Sequence, residues 1–120
     1  MMGKPATDNA YFKGLLYDLA DLGWGNGDMR LSVHDGGTAE ILYFGRVGID
    51  KVRSVLEKYG MELKQRYEDV SMYEGQVQTL GAEVYSNGTV TAEVQFGSAD
   101  VKKEGIIVTA VYIYPEEDKK

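Results

Sequence analysis

A chain of 120 residues with nineteen acidic and thirteen basic side chains carries a net charge of −6 at neutral pH. This acidity argues against nucleic acid as a direct ligand, because phosphate binding needs a basic surface. The sequence has no cysteine, which excludes disulfides and thiolate chemistry and fits a cytoplasmic protein. Because no apolar run approaches the roughly 20 residues of a membrane span and the N-terminus lacks the apolar core of a signal peptide, we expect neither membrane insertion nor secretion.

The first predicted element is a helix that starts at Thr7 or Asp8 and ends at Leu22. Its apolar residues recur at helical spacing and form one stripe, which consists of Phe12, Leu15, Leu16, Leu19 and Leu22. Gly14 weakens the helix by about 1 kcal/mol relative to alanine, so we expect a close packing partner there. Gly23 is predicted to end the helix as its C′ residue.

Two short alternating segments follow, Met29–His34 and Ala39–Phe44, on either side of a predicted Gly36-Gly37 turn. This turn pairs Leu31 with Leu42 and builds one apolar face. The opposite face then carries five residues: Arg30, Ser32, His34, Ile41 and Tyr43.

A second helix is predicted over about Ile49–Tyr59, with Gly60 as its cap and an apolar residue immediately after the glycine. The segment Met61–Tyr67 then alternates between apolar and charged residues. Charges on one face are typical of an edge strand that must resist pairing with other chains. The segment Asp69–Gly75 fits either a strand extension or a bulged loop.

The last third of the chain predicts three strands, Gln76–Ser86, Thr89–Phe96 and Ile106–Tyr114. A three-residue loop with a left-handed Gly88 aligns the apolar residues of the first two strands, with Val84 opposite Val90. Ala82 and Leu80 then meet Ala92 and Val94, and the wetter face holds Glu83, Tyr85, Thr91, Glu93 and Gln95.

The third of these strands is apolar at both alternating sets of positions. Ile106, Val108 and Ala110 are predicted to point one way, and Ile107, Val111 and Ile113 the other. This pattern predicts a central strand covered on both sides, or covered by helices on one side and by a partner on the other. Pro115 ends the strand.

The predicted order is α-β-β-α-β-β-β-β. Without strand–helix alternation, this order predicts an α+β fold, a two-layer sandwich in which two helices pack on a mainly antiparallel sheet of about six strands. The chain is expected to form a single domain, 1–120, with frayed tails at 1–6 and 116–120.

The glycine-rich segment from Gly23 to Asp28 is the first candidate site. Its order, helix then loop then strand, is the reverse of a dinucleotide fingerprint, so a capped helix end is the preferred interpretation. The alternative is a ligand pocket between this loop and the sheet, lined by Trp24, Asn26, Asp28 and His34. His34 is the only histidine, and Ser32 lies roughly 7 Å away at strand spacing, too far for a nucleophile–base pair.

Neither metal ligands nor a cofactor motif can be recognised in the sequence, and no catalytic residue is assigned. Arg53, Lys64 and Arg66 would form a basic patch if their elements adjoin, but solvated faces are the preferred interpretation. The nine tyrosines are the remaining signal, since tyrosine is enriched at protein interfaces. The predicted interaction surface consists of Tyr85, Tyr112, Tyr114 and Tyr43.

These observations favour a non-catalytic, acidic protein-interaction module, an adaptor, regulator or inhibitor, that binds a protein partner or forms a homodimer through a tyrosine-rich sheet surface. The alternative function is a small-molecule-binding protein or enzyme that uses the pocket between the Trp24 loop and the sheet.

Overall fold

The computed structural model describes residues 10–24, 29–34, 38–73, 75–98 and 105–115. The predicted element order and the α+β class are confirmed, with six antiparallel strands in one sheet and two helices. The elements are α1 (Ala10–Trp24), β1 (Met29–His34), β2 (Thr38–Gly48), α2 (Ile49–Lys58), β3 (Glu62–Tyr73), β4 (Gln76–Ser86), β5 (Val90–Ser98) and β6 (Ile107–Pro115). The predicted tails, the N-cap at Thr7 or Asp8 and the Gly36-Gly37 turn lie outside the described residues.

The strands are ordered β1-β2-β6-β5-β4-β3 across the sheet, and every neighbouring pair is antiparallel. The last strand of the chain, β6, lies between β2 and β5, which confirms its predicted interior position and its end at Pro115. The edge position predicted for the segment after Met61 is also confirmed. That strand is longer than expected, because β3 continues through Asp69 to Tyr73.

Both helices pack on one face of the sheet and enclose a single apolar core. The helices contribute Leu15, Leu16, Leu19, Ile49, Val52 and Leu56, and the sheet contributes residues such as Ile41, Val94, Val111 and Ile113. Full burial of each such side chain stabilises the fold by about 1.5–3 kcal/mol. We call the sheet face opposite the helices the open face.

The two helices contact each other through Tyr59, at the end of α2. Its hydroxyl donates a 2.7 Å hydrogen bond to Asp18 Oδ2, and Lys58 Nζ lies 3.0 Å from the same oxygen. These hydrogen bonds, led by that of Tyr59, hold the pKa of Asp18 below its ordinary value. A Cβ at Gly14 would lie 2.8 Å from the Tyr59 hydroxyl, which confirms the predicted close packing at that glycine.

The two predicted helix endings have different outcomes. At α2 the Gly60 N–H donates to the Glu57 carbonyl and the Met61 N–H to the Leu56 carbonyl, a Schellman motif with Gly60 at φ +75°. The cap predicted at Gly23 is wrong, because α1 continues to Trp24. A Cβ at Gly23 would lie 2.6 Å from Met29 Cβ, so this glycine permits close packing between α1 and β1.

The predicted register of the first hairpin is wrong by one residue. Leu31 faces Ile41 instead of Leu42, and His34 faces Thr38. Since side chains alternate along a strand, this shift inverts every side chain of β2 relative to the prediction. Ile41 and Tyr43 are therefore buried in the core, although both were expected on the opposite face.

The predicted register of the β4–β5 hairpin is also wrong. Val84 lies opposite Glu93 and not Val90, and Glu83 lies opposite Val94. The side chain of Asn87 sets this loop, because its Oδ1 accepts hydrogen bonds from the N–H groups of Thr89 and Val90. Gly88 is left-handed as predicted, with φ +90°. The shift by an odd number of residues moves Glu83 and Tyr85 from the expected wet face to the helix-covered face.

A bulge in β6 explains why that strand is apolar at both alternating sets of positions. Gln95 pairs with Ala110 and Phe96 pairs with Val108, so Thr109 has no partner opposite it in β5. The extra residue returns Val108 to the face that also holds Val111 and Ile113, contrary to the predicted separation. The apolar sequence of β6 therefore does not require a second layer or a partner on the open face.

We predict that a methyl group at Gly81 disturbs the packing of three strands. A Cβ there would overlap the Tyr67 carbonyl oxygen and lie 2.6 Å from Phe96 Cζ. Gly81→Ala should therefore lower the free energy of unfolding by about 1–3 kcal/mol. Gly48→Ala is the matched control, because nothing lies within 4 Å of its Cβ position, and it should cost less than about 1 kcal/mol. Chemical denaturation measures both; equal losses would contradict the packing at Gly81.

Candidate interaction surface

The four tyrosines predicted to form an exposed patch lie on opposite faces of the sheet. Tyr43 and Tyr85 are 5% and 4% exposed on the helix-covered face, so their assignment to an exposed surface is wrong. The two register shifts described above are the physical reason. Tyr112 and Tyr114 lie half-buried on the open face, where Tyr112 is opposite both Glu40 and Glu93. Burial, reinforced by the charge of Glu40, raises the pKa of Tyr112.

Most of the predicted ligand pocket lies outside the described residues, which include neither Asn26 nor Asp28 nor the side chain of Trp24. His34 is largely exposed at the end of β1, with Nε2 3.9 Å from Glu40 Oε1. The pocket therefore stays a prediction. Among residues 10–24, 29–34, 38–73, 75–98 and 105–115, no group of three or more acidic or histidine side chains could hold a metal ion. Within those same ranges, neither helix is long and apolar enough to cross a membrane.

A fully buried carboxylate, Glu83, is the centre of the strongest polar cluster in the described residues. Arg53 on α2 donates from Nη2 to Oε2 at 2.6 Å and from Nε to Oε1 at 3.1 Å. The Tyr85 hydroxyl donates to Oε1 at 2.7 Å, and Arg66 on β3 donates to Oε2. Each carboxylate oxygen thus accepts two hydrogen bonds. We call these four residues the Glu83 cluster.

The electrostatics of the Glu83 cluster favour the ionised carboxylate. Burial alone would raise the pKa of Glu83, but the hydrogen bonds from Arg53 and Tyr85 and the charges of both arginines outweigh it, so the pKa lies below its ordinary value. Burial beside this carboxylate raises the pKa of Tyr85 to about 12. Arg66 also lies over the ring of Phe96, 5.1 Å from its centroid. The Glu83 carboxylate therefore connects α2 and β3 to β4, and the contact of Arg66 with Phe96 extends the connection to β5.

The basic patch considered from the sequence does not form a cationic surface. Arg53 and Arg66 do adjoin, but both neutralise Glu83. Arg66 Nη2 also lies 3.2 Å from Glu68 Oε1, and Lys64 Nζ lies 3.4 Å from Glu62 Oε1. With a carboxylate beside each of these cations, the region offers little attraction for phosphate.

The exposed apolar side chains concentrate on the β3–β4 hairpin. Of the eight large hydrophobic residues that are exposed in the described chain, five belong to this hairpin, and each is at least 49% exposed. They are Leu63, Tyr67, Val70, Met72 and Leu80, which we call the edge surface. Single exposed apolar residues are ordinary, but their concentration on one hairpin is typical of an interaction site.

The edge surface surrounds a free strand edge. Within the described ranges no strand pairs with the outer side of β3, which is twelve residues long. The β3–β4 pairing also continues to Tyr73 and Gln76, beyond the last β4–β5 pair at Thr79 and Ser98. The hairpin end therefore extends past β5. Sequence reasoning missed this surface because it left Asp69–Gly75 open between strand and loop; the spacing of Val70 and Met72 was the available signal.

Comparison of the chain with known protein families, with characterised proteins and with solved structures finds no match.

We predict that the Glu83 cluster dominates the acid sensitivity of the fold. Because the folded-state pKa of Glu83 is lowered, its contribution to stability is complete above the ordinary value of 4.5 and is lost as the pH falls below it. Glu83→Gln leaves two arginines without their buried counter-charge, and should lower the free energy of unfolding at pH 7 by about 3–5 kcal/mol.

Denaturation at pH 7 and at pH 3 measures both effects. The difference between wild type and Glu83→Gln should shrink at pH 3, because this pH lies below the ordinary pKa of 4.5, so Glu83 takes up a proton in the unfolded wild-type chain and stabilisation is lost. Glu57→Gln, at an exposed position of α2, is the control and should change stability by less than about 0.5 kcal/mol. Similar losses for the two variants at pH 7 would show that the cluster does not hold the fold together.

Proposed function

We propose that this protein is a non-catalytic interaction module, an adaptor, regulator or inhibitor, that binds other protein chains through the outer edge of β3 and the side chains around it. The observation that carries the proposal is the coincidence of a free strand edge with the edge surface. Backbone N–H and C=O groups along such an edge can form hydrogen bonds with an added strand. Contacts with every second side chain of that strand then determine which sequence binds.

The chemistry of the edge surface supports a protein ligand. Tyr67 offers a large ring with a polar tip, and Met72 offers a flexible thioether that adapts to different apolar partners. Tyr67 lies on the open face with Tyr112 and Tyr114, as the pairing across β4, β5 and β6 requires. Part of the tyrosine-rich face predicted from the sequence is thus retained in this proposal, with Tyr67 in place of the two buried tyrosines.

The support behind β3 also favours binding. Arg66 is tied to Glu83 on the core side, and Gly81 packs against the Tyr67 carbonyl. A strand held in this way loses little conformational freedom when a ligand binds, which favours affinity.

A photo-crosslinking amino acid at position 70 tests the proposal in cells of the organism that encodes the protein. We expect a defined crosslinked protein whose purified form binds the wild-type chain directly in calorimetry. Val70→Asp combined with Met72→Asp should weaken that binding at least tenfold, because both changes put charge into an apolar contact.

Tyr17→Asp is the matched control, because Tyr17 is equally exposed but lies on α1. It should leave the affinity unchanged. A partner that binds the Val70→Asp/Met72→Asp variant as tightly as the wild type, or the absence of any protein crosslinked at position 70, would contradict the proposal. The alternative small-molecule function has its own test, since stabilisation by a metabolite should then be lost in Trp24→Ala.

A further inference from the structure

The pattern of charges along β3 points to a specific occupant of its free edge. We infer that this occupant is a second copy of the chain, paired antiparallel so that Tyr67 lies opposite Tyr67 of the second copy. The inference rests on the proposed function, because both use the same edge. It adds the identity of the partner and the register of the pairing.

Symmetry allows only those registers in which one residue of β3 faces the same residue of the second copy. Two identical edge strands pair antiparallel around a twofold axis perpendicular to the sheet, and residues directly opposite each other have their side chains on the same face. The axis therefore passes through one residue position of β3, which faces its own copy. Each choice of that residue gives a different set of opposing charges.

Several choices place like charges opposite each other. An axis at Lys64, Arg66, Glu68 or Asp69 puts a charged side chain against itself, and an axis at Gln65 puts Lys64 against Arg66. An axis at Val70 leaves Glu68 opposite Met72 and overlaps only the segment 67–73. The axis at Tyr67 puts no like charges opposite each other and overlaps β3 from Glu62 to Met72, a longer segment than the Val70 axis allows.

In the Tyr67 register, Arg66 of each copy lies opposite Glu68 of the other. Arg66 and Glu68 are already 3.2 Å apart within one chain, and both side chains are partly exposed. Pairing therefore brings together four charges of alternating sign. β3 also carries three carboxylates and two cations, so it is nearly neutral within a chain of net charge −6. Two copies repel each other less here than at their acidic surfaces.

A bulge at Lys64, where β3 shifts register against β4, limits how far the ladder is defined. The pairs fixed by the inference are the five central ones, in which the residues of one copy from Gln65 to Asp69 face those of the other from Asp69 to Gln65. On the open face these pairs place two Tyr67 rings together, flanked on each side by Gln65 and Asp69. Tyr67 is 52% exposed in the single chain, so the pairing covers apolar area.

Because the natural chain has no cysteine, single cysteine variants report the register directly. Residues directly opposite each other have Cβ atoms about 4.5–5.5 Å apart, and disulfides join Cα atoms about 4.4–6.8 Å apart. Under mild oxidation we expect Tyr67→Cys to form a covalent dimer. Gln65→Cys and Asp69→Cys should each stay single chains alone but form a mixed dimer when combined.

The controls are Val70→Cys, which would crosslink in the competing register, and Tyr17→Cys, which reports random collision. Neither should exceed a background level of dimer. Crosslinking of Val70→Cys or Asp69→Cys alone, at the level expected of Tyr67→Cys, would overturn the inferred register. None of these variants changes a residue of the Glu83 cluster.

Sedimentation velocity of the cysteine-free chain tests the association itself. We expect a reversible species of two-chain mass whose dissociation constant rises at least tenfold in Glu68→Arg, because that change places arginine opposite Arg66. Glu57→Arg changes the net charge equally from the exposed face of α2 and should leave the dissociation constant unchanged.

Two results would overturn the second-copy inference. If the wild-type chain remains monomeric at about 100 μM, a second copy is not the ligand of the β3 edge. The proposed function still stands in that case if a different protein is captured at position 70. A dimer that is insensitive to Glu68→Arg and is not crosslinked by Tyr67→Cys uses another surface. If, in addition, position 70 captures nothing, the proposed function fails as well.

Discussion

The buried carboxylate of Glu83 is the constraint on which the arrangement of α2, β3 and β4 depends. Its two arginines come from α2 and from β3, so one charge determines how the second helix sits over the edge of the sheet. Removing either arginine would leave a buried charge partly uncompensated, whereas a fully apolar replacement of the whole cluster would cost much less. The loss expected for Glu83→Gln therefore measures the cost of leaving two arginines without their counter-charge, and not a net gain from the cluster.

The sequence-based predictions succeeded where the signal was local and failed where it was distant. The element order, the Schellman ending at Gly60 and the left-handed Gly88 follow from residues within one or two turns of chain. The register of β4 against β5 does not, because the prediction assumed that Glu83 faces water, as most carboxylates do. Its counter-charge, Arg53, is 30 residues away, and no local pattern identifies that pairing.

The bulge at Thr109 and the shift between β1 and β2 have the same cause. In both places a change of one residue in the pairing moves every following side chain to the other face of the sheet. The sequence does not reveal this change, because apolar residues occur at both alternating positions. Tyr43 illustrates the result: its hydroxyl donates a 2.5 Å hydrogen bond to the Leu19 carbonyl, so a polar tip is satisfied inside the core. A tyrosine can therefore occupy either face, and composition alone could not separate Tyr43 and Tyr85 from Tyr112 and Tyr114.

The charges of β3 have two physical consequences that act together. Charged side chains on an edge strand normally prevent pairing with other chains, because a random strand leaves them unpaired or opposite like charges. In β3 the charges nearest the centre are arranged symmetrically about Tyr67, with Arg66 on one side and Glu68 on the other. A copy of the same strand meets opposite charges where an unrelated strand would not. In the pairing inferred above, the same side chains would disfavour other strands and favour a second copy.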